Sequence, residues 1–400
     1  MSRPIRVLLM VENVALARDH RLRKHAAALV AAGRSVTVVC RRDPGNRDVP
    51  GVRVFDYPPP RDGTSKLGFV REYLYSLLMA AVLTVRAMLA GGVDVVQISS
   101  TPDLAFVLAV PLRLLGRTVV FDFKDLSPEM YAARYGTREG LMYALLQRFE
   151  HASLRTADHV VAVNASVREV AMRRGGVPAA GITVVGNGPP LAALAARAPD
   201  PALRRGREHL CVLAGMMGPQ DSIHLAVEAV ARVVRERGRT DTAFTFIGAG
   251  DAVPELRRLA GRLGLDPWVS FPGWVEQERL FDHLATADLG LEPNLEDFVT
   301  PVKALEYMAF GLPFVAFDVA ETRLVAEGAA ELAPPGDVPA FAALIDGLLA
   351  DPARRAALGA TGRRVVAESL AWEHQARRYL TVFDRIPRVS RAGRRAEARA

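Results

Sequence analysis

Short runs of β-branched apolar residues alternate with longer amphipathic segments, and this alternation limits the possible folds more than any other feature of the chain. The first two runs, 7–11 and 35–40, are separated by a helical segment over 19–32 that Gly33 ends. Strands that alternate with helices are typical of parallel sheets whose crossover helices cover both faces. The sequence therefore predicts an α/β protein.

The same alternation occurs in both halves of the chain, and a segment of different composition separates the two halves. Further strands are predicted at 93–98, 118–122, 159–163 and 182–185 in the first half, and at 210–214, 242–247, 269–271, 289–292 and 314–316 in the second. Residues 189–207 are rich in Ala, Pro and Arg and show no strand pattern, so we interpret them as a linker. We expect two doubly wound, Rossmann-like domains that face a cleft.

The predicted boundaries follow from this pattern. The first domain covers 1–188, the linker 189–207 and the second domain 208–370. A terminal helix is expected over 371–386, and its return to the first domain is one option, because Trp372, Tyr379 and Phe383 lie at spacings that make one apolar face. The basic tail, 387–400, is expected to be disordered.

Composition and charge limit the class of protein. The chain has 400 residues, half of them apolar, which suffices for two full cores. Cys40 and Cys211 each border an apolar run in a different half, which favours buried thiols over a disulfide or a metal pair. The chain runs directly into a predicted strand without the pattern of an export signal, so we expect a cytoplasmic protein. No basic stripe with interleaved aromatic residues is present, so we do not expect a nucleic-acid partner.

The longest apolar stretch, 73–85, has two interpretations. It is bounded by Arg71, Glu72 and Arg86, and it is shorter than the roughly 20 residues that span a bilayer. A buried core helix is the simpler interpretation. The alternative is an amphipathic helix in peripheral contact with the inner face of the cytoplasmic membrane. The net charge of +7 favours this alternative, because anionic headgroups attract basic surfaces.

A short helix after residue 299 has an opening turn that suits an anion. Thr300 is a good N-cap, Pro301 suits the first helical position, and Gly311 ends the helix. The free N–H groups of such a turn attract anions. Lys303 and Glu306 lie three residues apart and share one face, so we expect them to reach a diphosphate and a sugar hydroxyl together.

Six separate segments, in order and spacing, give the chain a family resemblance over nearly its whole length. They are 19–21 (DHR), 121–129 (FDFKDLSPE), 185–189 (VGNGP), 215–221 (GMMGPQD), 246–250 (FIGAG) and 303–313 (KALEYMAFGLP). With these segments the sequence resembles a family-4 glycosyltransferase of the GT-B fold, of the retaining subgroup that builds exopolysaccharides or lipid-linked glycans. The resemblance implies an acceptor-side first domain and a second domain that binds a nucleotide sugar.

The resemblance also implies donor-binding residues. Glu306 occupies the place of the second glutamate of the family's E-x7-E motif, which grips the nucleotide ribose, whereas Phe298 stands at the first. Met216 and Asp221 stand where the family usually has Arg and Lys for the diphosphate. Only four of the 51 basic residues are lysine, and we infer that Lys303 supplies the missing charge.

The same resemblance implies further site residues. Gly248, Gly250 and Val275 resemble segments near the donor nucleotide, and Thr300 opens the anion-binding helix. For Trp274, core packing is an equally good interpretation.

The implied catalytic set is Lys124, Asp125 and Glu129, with Lys124 at a place where related sequences have histidine. His151, His159, His283 and His374 lack a metal-ligand pattern and are expected to be satisfied or solvated.

The leading hypothesis is a retaining glycosyltransferase that moves a sugar, from a UDP-sugar in preference, to a sugar or lipid-linked acceptor. No cofactor is expected, since the nucleotide sugar is a substrate. No metal is expected, because no two aspartates stand two residues apart. Two alternatives stay open: a nucleotide-sugar epimerase, and a non-catalytic GT-B partner subunit, which the departures at Met216, Asp221 and Phe298 suggest.

Overall fold

The computed structural model describes residues 3–59, 66–100 and 104–385. The chain divides into two compact units, Met1–Gly186 with Gln375–Ala400, and Asn187–His374. The predicted basic tail, 387–400, lies outside the described residues. Each unit is built around its own parallel sheet.

The first unit contains, among its described residues, a seven-stranded parallel sheet in the order β3-β2-β1-β4-β5-β6-β7. The strands are β1 (Arg6–Met10), β2 (Ser35–Arg41), β3 (Val52–Tyr57), β4 (Val95–Ser99), β5 (Thr118–Phe123), β6 (His159–Ala162) and β7 (Ile182–Val184). The helices are α1 (His20–Ala31), α2 (Lys66–Gly91), α3 (Ala105–Leu114), α4 (Ser127–Tyr135), α5 (Leu141–Thr156) and α6 (Ala165–Arg173). Short 3-10 turns cover Pro44–Asp48 and Ala179–Gly181.

The second unit contains a six-stranded parallel sheet in the order β10-β9-β8-β11-β12-β13. Its strands are β8 (His209–Ala214), β9 (Thr242–Ile247), β10 (Val269–Gly273), β11 (Leu289–Glu292), β12 (Phe314–Phe317) and β13 (Ala330–Ala333). Its helices are α7 (Ile223–Arg235), α8 (Val253–Arg262), α9 (Gln277–Thr286), α10 (Val302–Phe310), α11 (Ala320–Ala326), α12 (Val338–Ala350) and α13 (Pro352–Val365). A π-helical turn over Val366–Leu370 leads to α14 (Trp372–Asp384).

The terminal helix α14 packs against the first unit, as one of the predicted options had it. The Tyr379 ring stacks on His25 with ring centroids 4.0 Å apart, and its hydroxyl donates to Gln97 Oε1 at 2.6 Å. The Gln375 side chain accepts a hydrogen bond from the Gly186 N–H at 3.0 Å. The two parallel sheets and this helix confirm the predicted fold class.

Two edge strands, β3 and β13, were missing from the predicted set. Each pairs on one side, β3 with β2 and β13 with β12. The sequence of β13, Ala-Glu-Leu-Ala, has no β-branched residue, so its strand conformation comes from pairing with β12 rather than from propensity.

The segment 189–207 belongs to the second unit and contains the 3-10 turns Leu191–Leu194 and Pro201–Arg204. It is anchored there by Arg197, which lies 2.9 Å from Glu278 and 2.8 Å from Asp282 on α9.

Candidate functional site

The strand order of the second unit defines where a ligand would bind. The order reverses between β8 and β11, which end at Ala214 and Glu292. In open parallel sheets, ligands bind outside the carboxyl ends of the strands at such a reversal. The residues that follow β8 and β11 are therefore the first candidates for a site.

Glycines shape this carboxyl edge. A Cβ atom on Gly248 would lie 1.8 Å from the Gly215 carbonyl oxygen, and one on Gly250 would lie 2.3 Å from that of Met217. The turns after β8 and β9 therefore pack backbone against backbone, and the Met217 N–H donates to the Ala249 carbonyl at 2.9 Å. This packing explains why Gly248 and Gly250 are glycine. Their predicted role in donor binding stays a prediction.

Helix α10 places Lys303 at the strand reversal. A Cβ atom on Gly215 would lie 3.2 Å from Lys303 Cε, so the aliphatic stem packs on bare backbone. The ammonium lies 3.5 Å from both carboxylate oxygens of Glu292. That distance exceeds the 2.7–2.9 Å or so of a tight charge-assisted hydrogen bond. The ammonium therefore keeps hydrogen-bonding capacity for an anion.

Glu292 is a site residue that sequence reasoning missed. It is 1% exposed, and among the described residues its Oε2 accepts no hydrogen bond. A buried carboxylate is costly unless a cation compensates it, and Lys303 is that cation. The signal in the sequence was an acidic residue that ends the otherwise apolar strand Leu-Gly-Leu-Glu.

Tyr307 holds α10 on the sheet. Its hydroxyl accepts from the Ala214 N–H at 3.1 Å and donates to the Leu291 carbonyl at 3.2 Å, so it bridges the ends of β8 and β11. The ring covers Gly290, where a Cβ atom would lie 2.5 Å from it. This brace fixes the helix that carries both Lys303 and Glu306. The structure thus brings these two predicted residues together on one helix at the strand reversal.

The start of α10 differs from the prediction by one position. Pro301 is the N-cap, with ψ 77°, so the assignment of Thr300 as N-cap is wrong. The nonhelical ψ of Pro301 is the reason, since the first helical residue is then Val302. The Thr300 carbonyl accepts from the Val302 N–H at 2.8 Å. The first N–H groups of an α-helix have no intrahelical acceptor, so the opening turn of α10, which includes Lys303, has the polarity that attracts anions.

The turn after β10 lies on the same edge of the sheet. The Gly248 N–H donates to the Gly273 carbonyl at 2.9 Å, which continues the ladder between β9 and β10. Trp274 is 65% exposed, so its interpretation as a core residue is wrong. Val275 is half-buried beside it.

The residues that replace the family's usual cations have other environments. Met216 is exposed on the turn after β8. The Asp221 carboxylate accepts from the Gly218 N–H at 2.7 Å and closes the turn before α7. Neither supplies positive charge, and the inference that Lys303 takes that role stays a prediction.

In the first unit, Lys124 and Asp125 follow the carboxyl end of β5. Both backbone N–H groups donate to Ser100 Oγ at 3.0 Å, next to the end of β4. The Lys124 ammonium lies 3.0 Å from Asp19, which also caps α1. Burial alone would lower the pKa of Lys124, but Asp19, Asp125 and Asp122 outweigh it and raise the pKa. Lys124 is therefore a cation at neutral pH and not a general base.

A buried ion pair joins α1 to β5 next to Lys124. Arg21 on α1 donates to Asp122 on β5 at 2.8 Å and to the Val185 carbonyl at 2.8 Å. Burial acts to raise the pKa of Asp122, but the Arg21 guanidinium lowers it below its ordinary value. Burial also lowers the pKa of His25 to about 3, so its ring is neutral. In the Asp-His-Arg segment, Asp19 thus positions Lys124, and Arg21 ties α1 to β5.

Glu129 has a different environment from the rest of the predicted catalytic set. Its carboxylate lies 2.9 Å from Arg174, whose guanidinium also lies 3.2 Å from the buried Glu150 on α5. This pairing ties α4 and α5 to the end of α6. The structure brings Lys124 and Asp125 together and engages Glu129 in helix packing.

Glu12 is a second site candidate that sequence reasoning missed. It follows β1, next to the reversal of strand order between β1 and β4, and is 5% exposed. Burial raises its pKa to about 7, against the opposing effect of Arg41. Within the described residues its Oε2 accepts no hydrogen bond.

The predictions for cysteine and histidine are confirmed. Cys40 and Cys211 are free and buried. The four histidines discussed above hydrogen-bond to protein oxygens: His151 to Arg174 O, His159 to Thr183 Oγ1, His283 to Arg279 O and His374 to Ala367 O.

One group of potential metal ligands in the described residues lies at the amino ends of β8 and β9, at the opposite edge of the sheet. It consists of Glu208, His209 and Asp241. Arg239 lies 3.6 Å from Asp241 and offsets its charge, so the group does not argue for a metal.

Two parallel sheets with polar groups at both strand reversals define a doubly wound, Rossmann-like α/β protein. The chain belongs to the glycosyltransferase family. Residues 19–188 match the family described as "Glycosyl transferase 4-like domain", and 208–351 match "Glycosyl transferases group 1". Together the two segments cover more than half of the chain, and the predicted family is confirmed.

Two relatives illustrate the range of this family. The chain is 30% identical over 276 residues to D-inositol 3-phosphate glycosyltransferase of Kineococcus radiotolerans, covering 62% of each protein. It is 31% identical over 183 residues to the GDP-mannose-dependent monoacylated alpha-(1-6)-phosphatidylinositol monomannoside mannosyltransferase of Corynebacterium glutamicum, covering 42% of this chain and 44% of the relative. The matches therefore span less than two thirds of either relative.

A solved structure shares the whole fold. Anabaena HepE in complex with UDP and glucose matches with a TM-score of 0.75 and 17% identity, over 96% of this chain and 100% of that chain. At this identity the likeness concerns the fold alone.

Proposed function

We propose that this protein is a retaining glycosyltransferase that moves a sugar from a nucleotide diphosphate sugar to an acceptor hydroxyl, in the cytoplasm. The observation that carries the proposal is Lys303, which lies in the opening turn of α10 at the strand reversal of the second unit, with its ammonium 3.5 Å from the buried Glu292 carboxylate. A cation in the opening turn of a helix suits a diphosphate, because the ammonium and the N–H groups of that turn both attract anions.

Sugar transfer requires positive charge near the leaving diphosphate. The leaving diphosphate gains negative charge as its bond to the sugar breaks, and fixed donors that face it stabilise the transition state. Lys303 and the first turn of α10 take that role. Retention is consistent with reaction on one face, where the leaving phosphate helps to accept the proton of the acceptor hydroxyl. Lys124, as a cation, and Asp125 then orient hydroxyl groups.

Glu306 is assigned to the ribose. It lies one turn after Lys303 on the same face of α10, so a nucleoside diphosphate held by Lys303 would have its ribose within reach of this carboxylate. A carboxylate accepts hydrogen bonds from both ribose hydroxyls.

The proposed donor is a UDP-sugar and the proposed acceptor belongs to surface polysaccharide or glycolipid synthesis. The complex of HepE with UDP and glucose supports UDP, whereas the Corynebacterium relative is named for GDP-mannose. The latter name also includes a phosphatidylinositol acceptor, which supports a glycolipid.

The proposal is tested with purified protein and a panel of UDP- and GDP-hexoses. We expect slow release of nucleoside diphosphate from one donor, faster release with the matching acceptor, and a product whose anomeric configuration by NMR equals that of the donor. Conversion of the donor to its epimer would identify an epimerase. No turnover of any donor, with measurable diphosphate binding, would identify a non-catalytic subunit.

A further inference from the structure

Helix α2 exposes a long apolar stripe. Leu74, Leu78, Val82, Val85 and Leu89 are between 49% and 84% exposed. At 3.6 residues per turn, or 100° per residue, they lie within an arc of about 80°. A contiguous apolar surface of this kind on a protein marks an interaction site. The interpretation of 73–85 as a buried core helix is therefore wrong for this face.

The opposite face of α2 is buried. Ser76, Ala80, Leu83 and Ala87 are at most 9% exposed, and the helix packs over β1, β2 and β3. The segment Arg71–Gly91 is long and apolar enough to cross a membrane by length and composition. This finding corrects the expectation that the apolar stretch is too short to span a bilayer. However, α2 joins β3 and β4 of one sheet and keeps one face on it. It therefore stays packed on the sheet, with the apolar stripe on the face that points away from the sheet.

Helix α3 also carries exposed apolar side chains on one side. Val107, Val110 and Leu114 are 42%, 44% and 83% exposed and lie on one side of the helix. In this right-handed parallel topology, the crossovers from β3 to β4 and from β4 to β5 cover the same face of the sheet. The two apolar stripes therefore belong to one side of the first unit.

The charges of these helices have one sign at the surface. In the described part of α2 and α3, residues 71–91 and 106–114, the exposed charged side chains are Arg71, Arg86 and Arg113. The charge of Arg113 is offset by Asp158 at 3.1 Å, so Arg71 and Arg86 supply the positive charge. The acid on α2, Glu72, is half-buried and lies 2.7 Å from Arg41. A protein partner with a neutral apolar groove would not need these arginines. An apolar surface rimmed by cations complements a bilayer with anionic headgroups.

We propose that the apolar stripes of α2 and α3 dock this protein on the surface of an anionic lipid bilayer. The apolar side chains enter the boundary between headgroups and acyl chains, and Arg71 and Arg86 contact lipid phosphates. The docking does not depend on the glycosyl transfer proposed above. Docking explains why the stripe is exposed, because apolar side chains in contact with water carry a free-energy cost that burial in the bilayer removes.

The test is flotation with vesicles of phosphatidylcholine alone or with phosphatidylglycerol, at low and high salt. We expect wild type to float with the anionic vesicles, and less so at high salt. Leu78→Glu places a charge in the stripe and should lower the association constant at least about tenfold. Leu324→Glu on α11 is the matched control, since Leu324 is 62% exposed and Leu78 is 59% exposed. It should float as wild type does.

Three outcomes would overturn the proposal. They are flotation of Leu78→Glu equal to that of wild type, an equal loss for Leu324→Glu, and absence of wild type from anionic vesicles at low salt. In the last case, light scattering that shows a wild-type dimer and a Leu78→Glu monomer would assign the stripe to a second copy of the chain. Thermal unfolding of each variant confirms that both charges are tolerated by the fold.

Discussion

Replacing Lys303 with methionine separates the charge of this side chain from its shape. Methionine retains an unbranched stem that can pack on Gly215, and it removes the ammonium. Two effects follow from the structure. One acts on the affinity for a diphosphate, and the other acts on the stability of the fold, because Glu292 loses its cation.

The two effects have similar magnitudes but are measured by different assays. A hydrogen bond to a charged group contributes about 1.5–3 kcal/mol, so the dissociation constant for UDP should rise about 10- to 150-fold. Glu292 is 1% exposed, and removing one partner of a buried ion pair destabilises a protein by about 3–5 kcal/mol. The ion pair is long, at 3.5 Å, so we expect the lower end of that range.

The double variant Lys303→Met with Glu292→Gln removes both charges. We expect it to recover most of the lost stability, because no buried charge is left without a partner, and to retain the loss in UDP affinity. Urea unfolding measures the first effect and isothermal titration calorimetry with UDP measures the second. Lys24→Met, the same substitution on α1 of the first unit, is the control and should leave the UDP affinity unchanged.

Two results would refute the reasoning. An unchanged UDP affinity in Lys303→Met would remove Lys303 from the diphosphate site. Recovery of the affinity in the double variant would mean that the single variant had lost binding through damage to the fold rather than through loss of charge.

Four further predictions concern the other groups of the two units. Glu306→Gln should weaken UDP by about 10- to 150-fold and reduce its preference over 2′-deoxy-UDP, and equal affinity of wild type for both nucleotides would contradict the ribose contact. Lys124→Met should raise the KM for the acceptor and leave the UDP dissociation constant unchanged, so a change in UDP binding argues against its acceptor role. Turnover should persist in EDTA; loss that manganese restores would show that a metal is needed. Burial raises the pKa of Glu12 to about 7 from an ordinary 4.5, so its contribution to stability is present below about pH 4.5 and is lost as the pH rises through 7. Glu12→Gln should therefore gain up to about 3 kcal/mol in urea unfolding at pH 8 and nothing near pH 4, and an equal gain at both would exclude titration of this carboxyl.

Local sequence determined most of the secondary structure. Apolar β-branched runs predicted eleven strands of the two sheets, and their alternation with helices predicted that the strands are parallel. Lys303 and Glu306 were also readable, because both lie on one short helix whose spacing places them on one face. These features depend on residues within a few positions of each other, so they can be read without the fold.

Tertiary structure decided the rest. Glu292 and Lys303 are 11 residues apart, and Arg21 and Asp122 are 101 apart, so only the order of the strands brings each pair together. The conformation of β13 depends on its pairing with β12. The exposure of the α2 stripe was hidden because both faces of that helix are apolar or uncharged, and periodicity then does not distinguish the buried face from the exposed one. In each case, contact with a distant part of the chain determines what the residue does.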